Sequence, residues 1–163
     1  MSLQGSELSI KRTGIWRPIF ELKDEQHSYG KLSHKGTWKP KVIIETAQKT
    51  WVISGMGWRN AKISTDQEGE VAWISQDFWR GKTSFSAHDG FTAKLVRPSF
   101  WKNIMTWVTP DGTELVRISG RIFNQPVISI NPQAPQNPWL LLLAFLLLEM
   151  YEMRKRHAAA AAS

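Results

Sequence analysis

Pro138-Trp-Leu-Leu-Leu-Leu-Ala-Phe-Leu-Leu-Leu-Glu-Met-Tyr-Glu-Met153 is the stretch that decides the fold. Asn137 is a good N-cap and Pro138 suits the first helical position, so the sequence predicts a helix over about 138–153. From Trp139 to Leu148 every residue is apolar. That run is too short for a bilayer span, which needs about 20 residues, and extending it to Met153 brings in Glu149 and Glu152. An interfacial helix would carry a charged stripe along its length, and none precedes Glu149. The remaining option is burial on all sides, which a helix apolar all round requires. Arg154, Lys155, Arg156 and His157 then return the chain to water, with the cations near the helix's negative end.

What could surround such a helix is written upstream. Between Ile15 and Ile130 short strand-like segments alternate with turn signals, as in a sandwich or barrel, and helical periodicity is absent. Val42 and Ile44 fall on one face and Ile43 and Glu45 on the other; Phe91, Ala93 and Leu95 oppose Thr92 and Lys94; Val116, Ile118, Gly120 and Ile122 oppose Arg117, Ser119 and Arg121. An open sheet could cover only one side of the helix. A closed barrel of about a dozen strands has a lumen wide enough for one helix of about 10 Å diameter. The expected fold is therefore mainly β: a closed antiparallel barrel of about twelve strands around a central hydrophobic C-terminal helix. Its expected organisation is a flexible N-terminal segment over 1–12, a single domain over 13–157 and a disordered tail over 158–163. Strands are expected at Ile15–Leu22 and ten later segments ending at Pro126–Ile130. Two of the hairpins, Ile63 to Ser75 and Trp107 to Ser119, read strand, acidic-glycine turn, strand, either as an internal duplication or as common hairpin grammar.

The 163 residues suit one domain, and with 42% hydrophobic residues the core can be held by packing. Absence of cysteine removes disulfides and thiolate chemistry and fits a reducing compartment. Met1 to Ser9 contains no secretory signal pattern, and the expected location is cytoplasmic. The four histidines, His27, His34, His88 and His157, form no ligand-spacing motif, so no metal is expected. His88-Asp89-Gly90 reads as a tight turn. No phosphate loop, nucleophile elbow or dinucleotide fingerprint occurs, and no catalytic residue or cofactor is assigned.

The residues resemble a known family. Tyr29-Gly-Lys-Leu-Ser33, the run Ile44 to Trp51, the segment Phe100 to Trp107 and the Asp111-Gly112 turn are similar to bacterial members of the tubby-like superfamily, of scramblase and LURP-one-related type, over roughly Ile15 to His157. The resemblance implies a twelve-stranded barrel around a central helix. It also implies a peripheral membrane role, because the superfamily includes phosphoinositide binders and proteins linked to lipid scrambling. No motif fixes which cations would contact a headgroup, and the calcium signature associated with scramblases is not recognisable.

The formal charge of +7 fits an acidic partner. The cations are scattered from Lys11 to Arg156, the pattern of a solvated exterior. Nine tryptophans read chiefly as filling and bracing a β interior. Lys39-Pro-Lys41 after Trp38, and Trp79-Arg-Gly-Lys82, combine an aromatic with positive charge. The expected function is a non-enzymatic binding or scaffold module for anionic, phosphoinositide-like headgroups at a membrane surface. Candidate ligand-binding residues are Lys39, Lys41, Arg80, Lys82, Lys94 and Arg97, with Lys35, Arg59 and Lys62 in a wider set. A nucleic-acid-binding barrel using basic and tryptophan residues is the alternative, and protein partners are not specified.

Overall fold

A computed structural model describes residues 3, 5–56, 59–77, 80–97, 103–120 and 125–162. Twelve strands, β1 (Glu7–Thr13), β2 (Ile19–Lys23), β3 (Ser28–Lys35), β4 (Lys41–Glu45), β5 (Thr50–Ser54), β6 (Asn60–Thr65), β7 (Gly69–Asp77), β8 (Lys82–Ala87), β9 (Thr92–Val96), β10 (Ile104–Val108), β11 (Glu114–Ser119) and β12 (Val127–Ile130), precede one helix, α1 (Leu140–Ala162). Each strand pairs antiparallel with its sequence neighbours, and β1 closes the ring on β12 through Glu7 opposite Ser129 and Leu8 opposite Ile128. The expected barrel is the one observed.

Alternation explains why these segments are strands. Leu8 and Ile10, Phe20 and Leu22, Val42 and Ile44, and Ala61 and Ile63 are buried. Between or beside them, Lys11, Lys31, Lys62 and Lys94 are exposed. Apolar residues point into the lumen and charges point out, the reverse of a barrel that presents an apolar band to lipid. Leu142 to Leu148 fill the lumen and are fully buried. A stretch of eleven residues, Leu140–Met150, rises about 16 Å, close to the height of tilted strands of five or six residues.

Three sequence expectations change. The segment assigned as flexible over 1–12 contains β1, whose short apolar alternation at Leu8 and Ile10 is followed by Lys11 and Arg12; this strand seals the barrel. Ile15-Trp16-Arg17, expected to open a strand, is an exposed connection, and β2 starts at Ile19. The helix runs past Met153 to Ala162, because the alanines of the expected tail are the strongest helix formers. The two similar hairpins share geometry: each has a register shift at the same point, between Ile63 and Ser64 and between Trp107 and Val108. Ile122 lies outside the described residues.

Helix and wall meet closely at Gly30, beside the register shift between β2 and β3. A Cβ there would fall 2.5 Å from the Glu45 carbonyl oxygen and 3.2 Å from Cζ of Phe145. Gly30→Ala is therefore expected to destabilise the barrel by about 1–3 kcal/mol. Phe145→Ala should cost about 3–5 kcal/mol by opening a cavity in the lumen. Urea denaturation of both variants measures this, and an unchanged midpoint for Phe145→Ala would contradict a helix packed as core.

Candidate functional site

A closed ring of antiparallel hairpins sorts its connections by parity. Those after β2, β4, β6, β8 and β10 lie at one end with the start of α1, called here the lower end; those after β1, β3, β5, β7, β9 and β11 lie at the upper end, where α1 leaves. Cations that look scattered along the chain are thereby gathered. Turns at the lower end carry Asp24, Glu25, Asp66, Glu68, Asp89 and Asp111, with Lys49 as a positive exception. Arg17, Lys35, Lys39, Lys41, Arg59, Arg80, Lys82 and Arg97 stand at or beside the upper connections, with Asp77 as an acidic exception, and α1 adds Arg154, Lys155 and Arg156 there.

The lower end is built from turn chemistry. Asp24 Oδ1 accepts from the backbone N–H groups of Gln26 and His27, and its Oδ2 accepts from the Tyr29 hydroxyl at 2.6 Å. Asp89 Oδ1 accepts from the Phe91 N–H at 2.9 Å, making the His88-Asp89-Gly90 segment the expected turn. Its Oδ2 accepts from Trp139 Nε1 at 2.9 Å, while Asn137 Oδ1 caps the helix by accepting from the Trp139 N–H at 2.8 Å. The Phe91 N–H first, then the Trp139 indole, hold the Asp89 carboxyl below its ordinary value of 3.8. A depressed folded-state pKa gives stabilisation that is complete above the unfolded value and is lost as pH falls through the folded one. Asp89→Asn should thus flatten the acid limb of the stability curve between about pH 5 and pH 2. Denaturation across that range checks it.

The upper end carries like-charge juxtapositions. Lys35 and Lys41 face each other across β3 and β4, an arrangement that is unfavourable unless an anion intervenes. Lys39 and Lys41 line a cleft of about 430 Å³ with Trp38, Pro40, Ser54, Gly55 and Met56, so these two candidates share a concavity. Arg97 is pushed below its ordinary pKa, chiefly by desolvation and further by the neighbouring Arg154. A smaller cleft of about 190 Å³ lies between Asn103, Tyr151, Arg154, Lys155 and Ala158. Arg80 is 3.9 Å from Asp77 Oδ2, and Lys82 pairs in register with Asp77 at the edge of β8. Lys94 stands apart: it is outward on the middle of β9, opposite Ser84 and Val108, on the barrel wall.

Two features were missed in the sequence. Glu149, only 3% exposed, meets His34 Nε2 at 2.9 Å and Arg156 at 3.2 Å where α1 leaves the barrel. Nothing in the spacing of His34 and Glu149 announces this contact. The second was legible. Gly14-Ile-Trp-Arg-Pro18 and Gly36-Thr-Trp-Lys-Pro40 are the same phrase in two upper connections, and Trp16 and Trp38 are each 95% exposed. By contrast Trp51 and Trp107 are core, and Trp139 packs at a ring distance of 5.6 Å from Phe85. In sequence, Trp58-Arg59, Trp79-Arg80 and Trp101-Lys102 extend the tryptophan-cation pairing, but Trp58, Trp79, Trp101 and Lys102 lie outside the described residues.

Comparison with known families, characterised proteins and solved structures gives no match. Among the described residues no helix is long and apolar enough to cross a membrane, and no three His, Asp or Glu side chains are grouped to hold a metal. His34→Ala would leave the buried Glu149 carboxylate with Arg156 alone and is expected to cost about 1–3 kcal/mol. Glu149→Gln, which keeps an acceptor, should cost less than Glu149→Ala. Urea titrations of the three variants report the order.

Proposed function

We propose that this barrel is a non-enzymatic module that binds anionic lipid headgroups at a membrane surface through its upper end, in keeping with its resemblance to the tubby-like superfamily. The observation that carries this reading is the separation of charge along the barrel axis. An acidic lower end and a basic upper end give the molecule a field that orients it as it approaches a negative surface. Lys39 and Lys41 beside the cleft at Trp38, and Arg97 with Arg154 as its charged neighbour, offer phosphate oxygens several donors at once. A cytoplasmic, peripheral location follows, since a negatively charged leaflet is the surface such a face fits.

Co-sedimentation with phosphatidylcholine vesicles containing phosphatidylserine or phosphoinositide tests the reading. Binding should rise with anionic content and fall as salt increases. Each basic residue near the surface contributes about 1 kcal/mol, so Lys39→Ala with Lys41→Ala should weaken partitioning by about 30-fold. Lys94→Ala, on the barrel wall, should change it little. No binding at low salt would remove the proposal, and tight oligonucleotide binding with a steep salt slope would favour the nucleic-acid alternative.

A further inference from the structure

The repeated five-residue connection asks for an explanation that charge alone does not provide. In Gly14-Ile-Trp-Arg-Pro18, Gly14 has φ +85°, and a Cβ on it would lie 3.1 Å from the Arg17 carbonyl oxygen. In Gly36-Thr-Trp-Lys-Pro40, Gly36 has φ +90°, and its Cβ would lie 3.0 Å from the Lys39 carbonyl oxygen. The two loops thus fold alike: a left-handed glycine turns the chain back against the carbonyl of the cation, and a proline with fixed φ leads into the next strand. The same construction presents the same side chain. Trp16 and Trp38 project into solvent at 95% exposure, and Ile15 beside them is 86% exposed.

These loops cap neighbouring hairpins at the same end of the ring, β1–β2 and β3–β4. Two strand spacings separate them, about 10 Å. Indole rings held out by these turns at that distance contribute nothing to the core. Each is followed directly by a cation, Arg17 or Lys39, and Lys41 lies just beyond. Tryptophan is favoured at the boundary between headgroups and acyl chains, where an apolar ring with one polar N–H is matched on both sides. Cations one residue away then reach the phosphates.

We infer that Trp16 and Trp38 are paired anchors that insert into the interfacial layer of an anionic bilayer, holding the barrel upright with its upper end on the membrane. The inference rests on the lipid-binding reading and adds to it. A surface that binds by charge alone releases fully in high salt, whereas one with two inserted indoles keeps part of its affinity. Ile15 deepens the first anchor. The acidic lower end faces away from the surface.

The experiment uses the full chain with vesicles of phosphatidylcholine and phosphatidylserine, with and without acyl-chain bromination, at low and high salt. The wild-type protein should remain partly bound in high salt, and brominated lipid should quench part of its fluorescence. Trp16→Ser with Trp38→Ser should melt as the wild type does, because both side chains are solvent-exposed. It should still bind at low salt, be weaker by about tenfold or more in high salt, and lose most of the bromine quenching. Binding and quenching equal to wild type in the double variant would overturn the anchors while leaving the charge-based reading intact. Failure of both proteins to bind at any salt would overturn that reading and the anchors with it. Loss in the variant of a self-association that the wild type shows without lipid, with no bromine quenching in either, would assign the tryptophans to a second copy of the chain and overturn the inference.

Discussion

Burial of the first half of α1 on all of its sides is the constraint from which the rest of the molecule follows. Leu142 to Leu148 present no polar side chain in any direction, so neither a helix pair nor a flat sheet could keep them from water. Only a sheet that returns to its own first strand completes the enclosure. Closure also removes sheet edges, and the pairing of β1 with β12 accomplishes both at once. The helix and the ring therefore stabilise each other: without the helix the lumen would be an apolar void, and without the ring the helix would be an aggregation site.

Enclosure has a second consequence at the two ends. A helix that enters an apolar lumen must satisfy its first N–H groups where it enters, and Asn137 and Asp89 supply that polar fitting through the backbone N–H and the indole of Trp139. Where it leaves, Glu149 marks the transition from core to water, held by His34 of the wall and Arg156 of the next helical turns. Both fittings bind the helix to the ring by polar contacts whose geometry depends on helix register. A slide of one residue would misplace them, so they fix the helix's depth as well as its presence.

The strong hydrophobic signals were legible in the sequence, and contacts that depend on distant strands were not. The run from Trp139 to Leu148 identified a buried helix, and alternation at Val42–Glu45 and Phe91–Leu95 identified half-wet strands. β1 escaped because Leu8 and Ile10 are a short apolar alternation leading into the exposed Lys11 and Arg12. Ile15 and Trp16 misled in the opposite sense, since two large apolar residues normally mark a strand and here stand in solvent. The charges of Arg154, Lys155 and Arg156 resemble a helix stop in the sequence, while Ala158–Ala162 favour helix on propensity alone and carry α1 to Ala162. Glu149 with His34 joins positions far apart in the chain, and no local pattern encodes such a pair.

Scatter along a chain is a different property from scatter in space, and the barrel turns one into its opposite. In a ring of sequential hairpins, every second connection returns to the same end, so a residue type placed in alternate turns becomes a cluster without any local density of charge. Arg17, Lys39, Arg59, Arg80 and Arg97 are separated by whole hairpins in sequence and share one end of the ring. The acids in the intervening turns occupy the other. Lys94, similar to these cations in local sequence, is mid-strand and falls outside the cluster. What distinguishes a rim residue from a wall residue is therefore its phase within the hairpin repeat, together with the parity of the turn.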